Sequence, residues 1–394
     1  MAEAALIHCK EYEITDKNER IVIAEAPARL NLMGEYSQAG AGVVLACGID
    51  RSLKVAVSAR KDNSLRFYTA ETSERKRTSI LNYKFKREDR WANHVKLAIY
   101  LFSQKGFEPR GMSFTITGNI PQNIGLAAAS AVEVASALAL RRFYNAAVSD
   151  KELIRRLDEC HKEFYEGENK LCDFLIIMNA RKDSFLIVDE ASGEVVKIKN
   201  PFPKHKIFIL DSRVPFFGAS DELRIRREDL DRGLSLLSKK QPAKSFKDFM
   251  GQNMIELMTG LEEEARRHSL HVIQELNRIK ELETALREGD LAAITRDVFH
   301  SHESLRDLYE VSCPEVDWLV KRAQETEGIL GARMTGNGFG GCVYIIVEPD
   351  KMQNYLDKLE DYERIFGFHP NIYEVLPSAA AKIVSFAAPY GAAP

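Results

Sequence analysis

Residues 200–206, "NPFPKHK", place two prolines and two lysines between segments of different hydrophobic patterning, and this break restricts the fold more than any other feature of the chain. Upstream, the short alternating runs "RIVIAEA", "KVAVSAR", "LRFYTA" and "MSFTITG" have the period of half-buried strands. They interleave with helical patterns over 91–104, 125–145, 150–166 and about 172–180, and the strand patterns "SFLIVD" and "EVVKIK" follow. Downstream come one strand, "IFILD", and a nearly unbroken helical stretch from about 219 to 325. After that, "ARMTGNGFGGCVYIIVEPD" predicts strand, glycine turn and strand, ahead of a last helix and "NIYEVLP". At 394 residues the chain is longer than one core comfortably serves. Strands and helices mixed within both blocks predict a two-domain α+β protein, divided into residues 1–204 and 205–394.

Charge and cysteine usage remove several function classes. A formal net charge of −3 gives no general attraction to nucleic acid or to an anionic membrane. The six cysteines, at positions 9, 47, 160, 172, 313 and 342, contain no C-x-x-C pair, so neither a zinc site nor a disulfide framework is expected. A reduced, cytoplasmic setting follows. The opening "MAEAALIHCKEYEITDKNER" lacks the apolar centre of a secretory signal, and the run "VVLACGI" is too short to span a bilayer. The charged runs "SERKR", "RIRREDLDR" and "LEEEARRH" read as solvated helix or turn faces.

Three segments combine residue types suited to ligand chemistry. In "GNIPQNIGLAAASAVEVASALAL", residues 118–140, a proline and a glycine frame a turn into a long helix, whose first N–H groups suit an anion. In "APARLNLMGEYSQAGAG", residues 26–42, Arg29, Asn31 and Glu35 stand among apolar neighbours, either as buried hydrogen-bonding groups or as ligand contacts. Asp173 heads an apolar helix in "NKLCDFLIIMNA", where a carboxylate serves as a first-turn residue or as a base. The turn "TGNGFGG" lets backbone approach a ligand or bend sharply; taken alone, a tight hairpin is the simpler reading.

In this order and at these spacings the segments resemble the galactokinase branch of the GHMP superfamily of small-molecule kinases. "ARLNLMGEYSQAGAG" is similar to the family's G-R-x-N-L-I-G-E-H-T-D-Y-N-G-G, and "GNIPQNIGLAAASA" to G-N-I-P-x-G-x-G-L-S-S-S-A. "RMTGNGFGGC" matches R-M-T-G-x-G-F-G-G-C throughout, while "WANHVK" and "SHESLRDLYEVSCPEVDWLV" resemble two further family stretches. The likeness spans roughly residues 22–380. It implies a ribosomal-protein-S5-like N-terminal lobe and a ferredoxin-like C-terminal lobe around a central cleft. It also implies ATP, Mg2+ and a sugar as ligands, the γ-phosphoryl group passing to the anomeric hydroxyl of galactose. No protein partner is implied.

The resemblance gives Asp173 the sugar-hydroxyl proton and places Arg29 beside it as charge partner, with Glu35 as a sugar contact. It puts Pro121, Gln122, Asn123, Ile124, Gly125, Leu126, Ala127, Ala128, Ala129 and Ser130 at the phosphate loop. Gly336, Gly338, Gly340 and Gly341 stand at the glycine hairpin that faces the nucleotide. Four sugar-site positions depart from the family: Tyr36 for histidine, Gln38 for aspartate, Phe174 for glutamine and Leu223 for tyrosine. They predict a narrower, more apolar sugar pocket and little or no galactose phosphorylation. At the loop, the side chains of Gln122, Asn123 and Ile124 are expected to fill phosphate space. The magnesium serine becomes alanine in the run Ala127, Ala128 and Ala129, with Ala128 at the ligand position; Ser130, one residue past that run, is turned about 100° from Ala129, and the magnesium carboxylate becomes His161. Glu163 could replace it only if the helix were shifted. Two readings stay open: an ATP-dependent sugar kinase with altered positions, and a catalytically degenerate sugar- or nucleotide-binding or regulatory protein.

Overall fold

A computed structural model describes residues 2–16, 18–37, 42–165, 170–214 and 219–386. Among these, an eight-stranded sheet comprises β1 (Ile21–Met33), β2 (Val43–Ala59), β3 (Ser64–Thr69), β4 (Glu74–Ser79), β5 (Met112–Gly118), β6 (Ser184–Asp189), β7 (Glu194–Lys199) and a strand from the far end of the chain. A four-stranded antiparallel sheet holds β8 (Lys206–Asp211), β9 (Ile329–Thr335), β10 (Cys342–Val347) and β11 (Asn371–Val375) in the order β11-β8-β10-β9. The last strand, β12 (Lys382–Phe386), returns to pair with β1. The chain therefore crosses back over the expected boundary near residue 204, and the first sheet is completed by residues of the second half.

The helices are α1 (Ala2–Tyr12), α2 (Ala92–Gln104), α3 (Ala128–Phe143), α4 (Asp150–Tyr165), α5 (Leu171–Asn179) and α6 (Ala219–Lys240). They continue with α7 (Met254–Met258), α8 (Glu263–Glu288), α9 (Leu291–Asp307), α10 (Pro314–Gln324), α11 (Met352–Leu356) and α12 (Leu359–Phe366). No helix among the described residues is long and apolar enough to cross a membrane. The run "SERKR", read as a solvated helix or turn face, instead forms most of β4, the sheet's edge. Its charges keep that edge from pairing with another chain.

Two details of β1 and β2 aim the functional side chains. β1 is buried at nearly every position, because α3 and α5 cover one part of it and β2 and β12 flank it. Its register against β2 shifts between Pro27 and Ala28, where proline supplies no N–H to the ladder. Past this bulge the Arg29 N–H turns to Leu126 O, 3.2 Å away, on the loop before α3. β2 is long enough to pair with β5 through Leu53–Ala59 and with β6 through Val43–Ala46. The lobes are fastened where β1 ends. Gly34, at φ +103°, leaves no room for a side chain, since a Cβ would sit 2.5 Å from Val43 O. Its N–H donates to Glu275 Oε1 of α8 at 2.9 Å, and Tyr344 of β10 donates to Leu32 O at 2.7 Å.

Candidate active site

Asp173 lies in the first turn of α5, and two elements converge on it. Arg29 Nε donates to Asp173 Oδ1 at 2.8 Å, and Arg29 Nη1 donates to Gly125 O at 2.8 Å. Ser130 Oγ, on α3, donates to Asp173 Oδ2 at 2.9 Å. Burial alone would raise the pKa of this carboxyl. Arg29, then Lys170, and the hydrogen bonds from Arg29 and Ser130 outweigh burial and hold it below the ordinary carboxylate range. The result is a fixed, ionised carboxylate with lone pairs left for a hydroxyl. Ser130, placed among the nucleotide contacts by sequence, lines the larger cavity and gives its hydroxyl hydrogen to Asp173.

Two cavities meet at this carboxylate. The smaller, about 220 Å³, opens toward the C-terminal lobe and the larger, about 650 Å³, runs along the 120–130 loop beneath Thr69, Trp91 and Ile116. Arg29, Lys170, Asp173 and Asn337 line both. A molecule in one and a molecule in the other would face each other across Asp173.

The smaller cavity corrects the expectation of an apolar pocket. Arg29, Glu35, Lys170, Asp173, Glu190 and Arg227 all line it, and Leu223 is a minority among them. Glu35 is committed: its Oε1 accepts from Thr335 Oγ1 at 3.1 Å and from the Gly336 N–H at 3.2 Å, and its Oε2 pairs with Arg333 Nη1 at 2.5 Å. Tyr36, at φ +66°, stacks on Tyr309 with centroids 4.3 Å apart and donates to Asn337 O at 2.5 Å. Phe174 is a second correction. It is fully buried in the hydrophobic core, edge-on to His161, and does not line the cavity. Asp173 faces the cavity, and the next helical position points about 100° away. Gln38 lies outside the described residues.

Sequence reasoning missed Lys170, Glu190, Arg227, Tyr309 and Asn337. Glu190 follows an apolar strand and is held by its own backbone bond to Gly42 O at 3.0 Å. Burial, with Asp158 and Asp173 adding to it, pushes its pKa up to about 7 against a lowering bond from Cys172. A carboxylate at the end of a buried strand was its only signal.

On the other side of Asp173, the turn before α3 runs through left-handed Asn123 at φ +60°, Gly125 at +90° and Ala127 at +58°. Ala127 occupies the N-cap position and brings no side-chain acceptor to the first-turn N–H groups. Pro121, Gln122, Asn123, Gly125, Leu126, Ala127, Ala128 and Ala129 line the larger cavity. Ile124 does not: its side chain is packed in the core, so the expectation that it fills phosphate space is wrong. Gln122 Nε2 folds back onto Ile120 O at 3.0 Å.

The glycine hairpin is also corrected. Gly336 meets Gly125 backbone to backbone, and a Cβ on Gly336 would sit 2.6 Å from the Gly125 Cα. Gly338, Gly340 and Gly341 line neither cavity and pack against Val311, Val214 and Ile124. The missing side chains of Gly336 and Gly341 let the hairpin close on the 124–125 turn of the other lobe, while those of Gly338 and Gly340 make room for Val311 and Val214 within the C-terminal half.

The residues present do not fit a protein-held magnesium ion. Ala128 offers no oxygen, and His161 Nδ1 lies 3.1 Å from Glu133 Oε2. The other oxygen of Glu133, a fully buried carboxylate, lies 2.8 Å from His94 Nδ1. Burial would raise the pKa of Glu133, but the two imidazoles lower it below the usual range. Glu163 is bonded to Tyr100 rather than turned to the cavity. Among the described residues no three His, Cys, Asp or Glu side chains form a metal-ligand group.

Known proteins with related sequences and folds supply the context. The model of the GHMP kinases N-terminal domain matches residues 93–175, that of the GHMP kinases C-terminal region 282–364, and a galactokinase galactose-binding signature 9–59. A Treponema pallidum protein carrying a provisional galactokinase name is 34% identical over 387 residues, covering 95% of each chain. A galactokinase of Thermotoga petrophila is 30% identical, over 89% of this chain and 97% of its own. Among solved structures, Lactococcus lactis galactokinase, crystallised with galactose, superposes with a TM-score of 0.88 at 22% identity, covering 96% of this chain and 99% of that one. A mevalonate kinase follows with a TM-score of 0.65, over 90% of this chain and 98% of its own at 18% identity. With its mixed sheets in two domains and a near-full-length match to galactokinases, this chain belongs to the galactokinase family of the GHMP kinases.

Proposed function

We propose that this chain is a cytoplasmic sugar kinase that moves the γ-phosphoryl group of ATP to the anomeric hydroxyl of a galactose-related sugar. The sugar occupies the smaller cavity and the nucleotide the larger. The observation that carries this reading is the position of Asp173 at the seam between them, ionised and braced by Arg29 and Ser130. In the step itself, the bond from the γ-phosphorus to the ADP oxygen breaks and a bond to the sugar oxygen forms. The hydroxyl proton passes to Asp173 and then to water. A carboxylate this acidic is a weak base, but in a loose transition state the proton leaves late, so positioning matters more than basicity. Arg29 keeps Asp173 ionised throughout and adds positive charge beside the incoming phosphoryl group.

Galactose itself is expected to turn over very slowly. Tyr36 and Leu223 replace polar family groups, and each unmet sugar hydroxyl costs on the order of 1–3 kcal/mol. A second reading, a degenerate sugar- or nucleotide-binding protein, is favoured by one observation: Ala128 and the Glu133-bound His161 stand where the family holds magnesium. Calorimetry of ATP binding with and without Mg2+, followed by a phosphorylation assay over a panel of hexoses and their acids, separates the two. Turnover absent from an Asp173→Asn blank supports the kinase. Nucleotide or sugar binding with no turnover on any member supports the binding protein.

A further inference from the structure

The smaller cavity and the larger groove share, besides Arg29, one cation whose ammonium makes no direct contact described above. Arg29 is committed to Asp173 and Gly125 O. Arg90, at the groove's far end, is 3.9 Å from Glu74. Lys170 lines both cavities, immediately before α5, and its ammonium has no ion-pair partner among the described residues. Only its backbone is tied down, the N–H donating to Asp158 Oδ1 at 3.0 Å. Its charge nevertheless reaches the centre of the site, where it ranks after Arg29 in favouring the ionised form of Asp173. A lysine held by its backbone, with a free ammonium between two cavities, is a flexible point charge suited to phosphate oxygens.

We propose that Lys170 supplies at the γ-phosphate the positive charge that this site does not obtain from a protein-held metal ion. The proposal rests on the nucleotide reading above and deepens it. As charge spreads over the γ-phosphoryl oxygens in transfer, a cation already in place stabilises it without reorganisation. The metal-ligand positions and this lysine then form one change: oxygen ligands for a divalent ion are absent at Ala128 and His161, and a covalently attached monovalent cation stands across the same groove. The ammonium contacts the terminal phosphate rather than the adenosine, so its contribution should discriminate ATP from AMP.

The test is calorimetry on the full chain in EDTA, with ATP and AMP as probes, comparing wild type, Lys170→Met and Lys170→Arg. Wild type is expected to bind ATP more tightly than AMP without any metal. Lys170→Met should weaken ATP about ten- to a hundredfold, the range of a hydrogen bond to a charged group, while AMP changes less than about twofold. Lys170→Arg should retain most of the ATP preference, and unchanged thermal unfolding of the partly exposed position confirms an intact fold. A Lys170→Met chain that keeps its ATP-to-AMP ratio overturns the lysine assignment alone. The same holds if that variant loses sugar affinity instead, which would give the ammonium to the sugar. A wild-type chain that binds ATP only with Mg2+ also overturns it, and a chain that binds neither nucleotide under any condition overturns the nucleotide reading as well.

Discussion

On the C-terminal side of Asp173, charges are locked into one another. Arg333, fully buried, pairs with Glu35 at 2.5 Å and with Glu275 at 3.1 Å, and Arg278, the Ser301 hydroxyl and the Gly34 N–H also bind Glu275. On the loop side, three alanines face the groove, and behind them the fully buried Glu133 is shared between two imidazoles. The first region joins the lobes, so each of its charges has a structural duty besides any ligand contact. The second faces a ligand channel, and its side chains can change without loosening the fold. The contrast explains how Glu35 and the complete glycine motif persist beside a phosphate loop without hydroxyls. Their packing roles hold them, whatever the chemistry does.

The largest expected effect falls on the seam between the regions. Asp173→Asn keeps the shape, but an amide accepts no proton, so transfer to any accepted sugar should fall by about 10²–10⁴-fold. ATP affinity in calorimetry should change little by comparison. Equal loss of ATP affinity and of rate would mean that Asp173 serves binding alone.

Next comes a direct contest between the two regions. Arg333→Met leaves Glu35 and Glu275 buried without their shared partner and should destabilise the chain by about 3–5 kcal/mol in denaturant unfolding. His94→Gln, removing a quarter-exposed partner of Glu133, should cost under about 1 kcal/mol. The pH dependence goes with the first region. Burial raises the pKa of Glu275, but Arg278 and Arg333 bring it down to about 2. A carboxyl depressed on folding stabilises above its unfolded pKa of about 4.3, and that contribution is lost as pH falls toward about 2. Comparable costs for the two variants would remove the distinction drawn between the regions.

Much of this was legible in the sequence, and the failures share a cause. Strand and helix patterns placed most of the elements through their local hydrophobic period; the charged edge strand β4 and the N-terminal α1 carried no such period and were not anticipated. Arg29 and Asp173 were found through motif spacing, although 144 positions separate them. Direction was not legible. Ile124 and Phe174 sit one residue from site positions and point into the core, which depends on a left-handed turn and a helix register rather than on residue type. β12 could not be assigned to the first sheet either, since its pairing with β1 joins opposite ends of the chain. Lys170 stands in the quoted segment around Asp173 but was not singled out there, Glu190 belongs to no motif, and only folding brings both to the cavity.

Glu190 offers a smaller effect that sharpens the picture of the charged cavity. Its pKa of about 7 lies above the unfolded value of about 4.3, so the folded chain favours the protonated form. Stability from this group is fully present below about pH 4.3 and is lost as pH rises through about 7. The loss should be on the order of 1–2 kcal/mol after allowance for solvent at the cavity mouth. Glu190→Gln should flatten that slope in unfolding curves taken between pH 4.5 and 8. A slope unchanged in the variant would place the titration elsewhere.

Tyr36→Phe gives the smallest effect and the finest cut between packing and chemistry. The ring stacks on Tyr309, and the hydroxyl reaches Asn337 O across the lobes. Phenylalanine keeps the stack and drops only that bond, so unfolding should shift by about 0.5–1.5 kcal/mol. Asn337 lines both cavities, and freeing its carbonyl lets the hairpin tip move against Asp173. If Tyr36 only packs, stability drops and the KM for sugar stays put. If it positions the hairpin, the sugar KM rises several-fold while ATP affinity holds, which would make Tyr36 part of the sugar site even though its hydroxyl is turned to the protein.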